Sequence, residues 1–184
     1  VGERTGFLLG YGVVYWFKTT GRGKPPMGPT ELVRYFYEVI VSENLAHRIP
    51  EFVSPACRAR IGDQWTCIGA EGMADHIAAT KSTYPDYVMK ITRQFCDGEY
   101  VVSEFLMEGT HRGAWLGIEP SGKRLRFTGI NIDRVAEGKI LEHAGAVNTL
   151  ETLLEAGMIG PARREGVGGE APDDPGAPSP RGEG

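Results

Sequence analysis

Two strand-like runs, Arg124 to Val135 and Lys139 to Val147, meet at the tight turn Ala136 to Lys139, and this hairpin constrains the fold more than any other stretch. Gly138 stands where such a turn needs a left-handed residue. Side chains alternate across a strand, so Leu125, Phe127, Gly129, Asn131 and Asp133 share one face. On the partner run Leu141, His143, Gly145 and Val147 do the same. The faces that present Leu125, Phe127 and Val147 to a core therefore also present Asn131, Asp133 and His143. A buried polar group without a partner costs about 1–3 kcal/mol, so this clustering points to a pocket. Pairing run straight back from the turn sets Asn131 opposite or diagonal to His143, within reach of a shared ligand, unless a one-residue bulge intervenes.

The chain ahead of the hairpin supplies helices and two more strands. Pro29 and Thr30 open a helix whose Leu32, Phe36, Val39 and Ile40 recur at i, i+4, i+7 and i+8, with Tyr35 beside that stripe. Asn44 is placed to cap a short second helix through Ala46, Ile49 and Phe52, with Pro50 near its middle. Arg58 to Ile61 reads as a short strand and Trp65 as part of a turn. A third helix runs from Ala70 to about Thr83, with Met73, Ile77 and Thr80 inward, His76 next to them and Pro85 beyond its end. Strands Tyr87 to Phe95 and Tyr100 to His111 follow, joined at Asp97 and Gly98. Tyr87, Met89, Ile91 and Phe95 of the first and Val101, Phe105, Met107 and His111 of the second make one apolar surface. Thr149 to Ala156 is a closing helix ended by Gly157.

The ends read differently. Residues 1–26 are an N-terminal extension, with Met27 expected as the natural start in preference to a short secretory signal, since only Arg4 precedes the apolar run Gly6 to Phe17. Residues 160–184 are rich in Gly, Pro and charge and are expected to be disordered. Residues 27–159 then form one domain. The apolar run is 12 residues long, short of the roughly 20 a spanning helix needs. With a net charge of −4 and dispersed Lys and Arg, nucleic acid is not an expected partner. Cys57, Cys67 and Cys96 form no CxxC pair and stand apart from the histidines, which argues against a zinc site or a disulfide framework and fits a cytoplasmic protein.

Three helices followed by four long antiparallel strands imply an α+β domain in which a curved sheet wraps around the helices, leaving a cavity at the open end. The stretch GTHRGAWLGIEPSGKRLRFTGINIDRVAEGKILEH, with the ending TLETLLEAG, resembles the signature of SnoaL-like polyketide cyclases, or ester cyclases, of the NTF2-like superfamily. The likeness spans about Pro29 to Gly157. It implies the NTF2-like cone, no metal, no cofactor, and a homodimer or larger homo-oligomer packed through the outer sheet. For activity it implies an intramolecular aldol condensation that closes a polyketide ring, with an aspartate as acid/base. By the same resemblance that aspartate falls where this chain has Gly145, and the cyclases' pocket histidine falls on Asn131.

Aldol closure needs a base for a proton alpha to a carbonyl and a donor for the resulting enolate. His143 is the best base in the sequence, Asp133 is placed to orient it or replace it, and Asn131 can donate to an enolate or carbonyl oxygen. Substrate contact is expected from His111, His76, Trp65, Trp115, Tyr35, Tyr84, Phe105, Met107, Phe127 and Gly145, with the loop Ala114 to Gly122 as a cover. The expected ligand is a hydrophobic, carbonyl-bearing small molecule. Two other readings stand beside this one: a non-catalytic NTF2-like binding or scaffold module, and a hydroxylase-like or epoxide-hydrolase-like activity on the same cone.

Overall fold

The computed structural model describes residues 4–10, 13–19 and 27–160. Strands β1 (Arg4–Gly10) and β2 (Val13–Thr19) pair antiparallel as a separate two-stranded sheet. The remainder of the expected N-terminal extension, and the expected tail from residue 161 onward, lie outside the described residues.

Helix α1 (Pro29–Tyr35) starts with Pro29, where the missing N–H costs nothing, and has Glu31 at the positive end of its dipole. It runs on as a wider π-helical turn, Phe36–Val41. Every residue from Tyr35 to Val41 is buried, so this helix passes through the interior instead of showing one face to water. Asn44, expected to cap the next helix, has φ of +57° and ends this one, where the N–H of Leu45 donates to Ile40. Pro50, expected near the middle of a helix, stands in the first turn of α2 (Ile49–Phe52), where no backbone donor is needed.

The short strand expected at Arg58 is longer: β3 (Val53–Ile61) forms a hairpin with β4 (Gln64–Cys67). Trp65 lies on β4 and not in a turn, and all four β4 residues are exposed, so the short Gln-Trp-Thr-Cys alternation buries neither face. Helix α3 (Gly69–Thr83) follows, then β5 (Val88–Asp97), β6 (Tyr100–Thr110), β7 (Arg124–Ala136), β8 (Lys139–Val147) and α4 (Thr149–Glu155). Six strands form one curved, unclosed sheet in the order β4-β3-β8-β7-β6-β5. The last four pair antiparallel in hairpin order, and β3 joins them parallel to β8. The result is an α+β fold of the expected kind, with α1, its π turn and α3 against the concave face.

Two register shifts decide what faces that interior. In β5 the shift lies between Ile91 and Arg93. Past it the faces invert, so Phe95, expected inside, is 61% exposed. Gln94 turns inward there and donates to Ser103 Oγ at 3.1 Å, while the buried Glu38 carboxylate accepts the Ile91 N–H at 2.9 Å. The second shift separates Arg134/Glu142 from Val135/Ile140 in the β7–β8 hairpin and leaves Leu141 as the extra residue. Ile140, not Leu141, then fills the core, at 0% exposure. No helix among the described residues is long and apolar enough to cross a membrane.

Candidate functional site

The second register shift builds the site. Straight pairing from the turn would have placed Ile132 across from His143; with Leu141 bulged out, Asp133 lies directly opposite His143 and Asn131 directly opposite Gly145. His143 Nδ1 is 2.9 Å from Asp133 Oδ1. An ionised carboxylate accepts only, so against it the ring donates Nδ1–H and leaves its other nitrogen for the cavity.

Tyr37 completes the cluster, and it was absent from the sequence candidates. Its hydroxyl lies 3.0 and 3.1 Å from the two Asp133 oxygens and 3.1 Å from His143 Nδ1. Tyr37 falls outside the stripe of Leu32, Phe36, Val39 and Ile40, and it reaches β7 from within the π turn. The legible signal was composition: Tyr35 to Val41 is aromatic or aliphatic at every position except Glu38, the mark of a helix buried on all sides.

Burial pushes the Tyr37 phenol well above its ordinary pKa, the Asp133 charge and hydrogen bond push the same way, and Asn131, donating to the phenol oxygen, opposes them slightly. For His143 burial is the largest single influence and disfavours the charged ring. The hydrogen bond to Asp133 and the charge of that carboxylate together outweigh it, so the imidazole titrates above its ordinary value. Cys57, buried behind the pair, is pushed up to about 11 by burial first and by the Asp133 charge second.

A cavity of about 400 Å³ opens in front of His143 between the sheet and α3. Its walls are mainly apolar, with Phe105, Met107 and Phe127 from the sheet and Met73 and Ile77 from α3. Asn131, His143, His76, Tyr84 and Trp115 of the sequence candidates also line it. Trp115 reaches it from the loop that follows β6 and stands edge-on to Phe127, at 6.5 Å and 86°. The other candidates lie outside the lining. Asp133 sits behind His143. Tyr35 is stacked on Phe52 at 5.6 Å, because the helix turns it away from the sheet. Trp65 is 42% exposed on β4 beneath the Arg58 guanidinium. His111 is fully buried past the end of β6, with Nδ1 accepting the Ser121 N–H and its ring 5.5 Å from that of Tyr84. Gly145 meets Asn131 where a side chain would project: an added Cβ would lie 2.4 Å from Asn131 Oδ1. No group of three or more His, Cys, Asp or Glu side chains able to hold a metal ion occurs among the described residues.

The family model of the SnoaL-like polyketide cyclases matches residues 31–155. The chain belongs to that family. Among solved structures, it is similar to IdmH of Streptomyces antibioticus, a candidate polyketide cyclase, with 20% identity and a TM-score of 0.61 over 71% of this chain and 99% of that one. A SnoaL-like polyketide cyclase from Agrobacterium tumefaciens superposes with a TM-score of 0.62 at 11% identity, covering 71% of this chain and 98% of that one. AclR of Streptomyces galilaeus, a candidate hydroxylase, gives 0.56 at 18% identity over 70% and 98%. No curated protein matches the chain. At these identities the structural neighbours establish the cone alone. In this fold Asp133 of β7 is the carboxylate bonded to the cavity-lining His143, and Gly145 of β8 lies opposite Asn131.

Proposed function

We propose that this SnoaL-like protein is an acid–base enzyme that needs no cofactor and acts on a hydrophobic, carbonyl-bearing small molecule of the polyketide type, with ring closure by aldol chemistry as the reaction. The observation that carries this reading is the buried Asp133–His143 pair, 2.9 Å apart, with the imidazole facing an apolar cavity. A carboxylate behind an imidazole fixes the ring's tautomer and orientation and supports its protonated form. Acid–base work by one such group contributes about 10²–10⁴-fold to a rate. Asn131, on the same wall, is the candidate donor to an enolate or carbonyl oxygen, and the apolar walls favour proton transfer by excluding water. Family membership supports a cyclase-like role and leaves the substrate open.

The test combines binding and turnover. Aromatic polyketones are titrated against tryptophan fluorescence and their conversion is followed by liquid chromatography and mass spectrometry. His143→Ala and Asn131→Ala are each expected to lower turnover at least about tenfold with unchanged circular dichroism. Saturable binding without product on long incubation would instead identify a ligand-binding module. Unchanged turnover in both variants would remove this site from the chemistry.

A further inference from the structure

The Asp133–His143 pair raises the question of which group takes the substrate's proton. Asp133 is completely buried, and its hydrogen-bonding neighbours are the Tyr37 hydroxyl and the His143 ring. A buried carboxylate is least costly beside a cation. Among the described residues the side chain that supplies one is His143, 2.9 Å away, whereas Arg58 and Arg134 engage Glu142 at 3.8 and 3.7 Å. The carboxylate beside it favours the protonated ring, which suits His143 to donate a proton more than to remove one.

A second imidazole faces the first across the cavity. His76 projects from α3 with its ring centroid 6.5 Å from that of His143 and the planes tilted by 47°, and both side chains line the cavity. Its ring makes no hydrogen bond or ion pair among the described residues, in contrast to His143 with two partners. His76 is solvent-exposed where it lines the cavity, and desolvation by the protein around it, then the neighbouring His143, lower its pKa. Centroids 6.5 Å apart leave room between the rings for a carbonyl group and the C–H beside it.

We propose that His76 is the general base of this site and His143 its acid partner, the two imidazoles dividing proton removal and oxyanion support across the cavity. The proposal rests on the acid–base reading above and adds a residue and a division of roles to it. His76 removes the proton alpha to a carbonyl while His143 donates to that carbonyl oxygen, giving an enol. The enol carbon then attacks the second carbonyl of the same molecule; one C–C bond forms and one C=O π bond opens. The new alkoxide takes the proton held by His76, the enol oxygen returns its proton to His143, and both histidines regain their starting states. No proton, electron or co-reactant is consumed. Two groups pushed to opposite sides of a common pKa are the arrangement that lets one fold hold an acid and a base at one pH.

Two measurements on the full chain test this. In NMR titration of the imidazole resonances, His143 is expected to titrate above and His76 below the ordinary histidine value, and His143→Gln is expected to raise the His76 midpoint. The reverse order, or midpoints that ignore each other, overturns the division of roles whether or not a substrate is known. Exchange of the alpha protons of 2-tetralone in deuterium oxide gives the second readout. His76→Gln and His143→Gln are each expected to slow protein-catalysed exchange at least about tenfold. Exchange lost only in the His143 variant overturns the role of His76 and leaves the acid–base reading standing. A wild-type protein that does not accelerate exchange counts against the acid–base reading itself, and the titration still decides how the proton is shared.

Discussion

Substituting Gly145 by alanine probes the contact that shapes this site. Gly145 is not among the residues with positive φ, so alanine meets no backbone strain there. Elsewhere in a strand that change stabilises by about 0.4–1 kcal/mol, by restricting the unfolded chain. Here the new Cβ would lie 2.4 Å from Asn131 Oδ1 where ordinary contact begins at 3.4 Å, so the amide must retreat by 3.4 − 2.4 = 1.0 Å. Asn131 is 5% exposed and its strand is held by β6 and β8 on either side, so the side chain must rotate away from Tyr37. Overpacking of this kind costs about 1–3 kcal/mol, and a lost buried hydrogen bond about 1 more. The net expectation is a loss of about 2–3 kcal/mol, a fall in Tm on the order of 10 °C for a domain of this size. In an Asn131→Ala background the obstructing oxygen is gone, and the same substitution is expected to be neutral or to stabilise by up to about 1 kcal/mol. Urea denaturation of the four proteins of this cycle measures both numbers. Equal costs in the two backgrounds would refute the claim that Gly145 exists to admit Asn131.

Two further expectations follow from the buried cluster. Tyr37→Phe removes the hydroxyl from Asp133 and should destabilise by about 1–3 kcal/mol in urea titration; a loss below about 0.5 kcal/mol, the size of a change on the surface, would mean the phenol is idle. His143 titrates in the folded protein above its unfolded value, so the stability it contributes is fully present below the unfolded pKa of about 6.5 and is lost as pH rises through the higher folded pKa. Measured from pH 5.5 to 8.5 against a His143→Gln/Asp133→Asn reference, in which neither group titrates, the wild-type advantage should shrink with rising pH, and growth of that advantage would reverse the sign assigned to the pair.

Much of the frame was legible because it depends on near neighbours in sequence. Alternation along β6 and β7 identified Phe105, Met107, Phe127, Asn131 and Asp133 as inward, and the turn at Gly138, with φ of +69°, set the hairpin that carries them. What failed did so where a local pattern was overridden from elsewhere. Phe95 reads as core by alternation but follows the register shift in β5, beside the point where Glu38 holds the Ile91 N–H. The strand that holds Trp65 is four residues long, too short for its alternation to separate strand from turn, and it pairs along the edge that β3 provides.

For the site, the sequence by itself determined the hairpin, the inward set on β7 and the presence of His143 on its partner. Only the tertiary structure decided that Asp133 faces His143, because that depends on one extra residue, Leu141, accommodated in the ladder, and a shift of one residue exchanges every facing pair without changing any local propensity. The same holds for Tyr37 and His76. Their chemistry comes from elements more than 60 residues from His143, brought beside it by a π turn and by the packing of α3, and no periodicity within either helix records that distance.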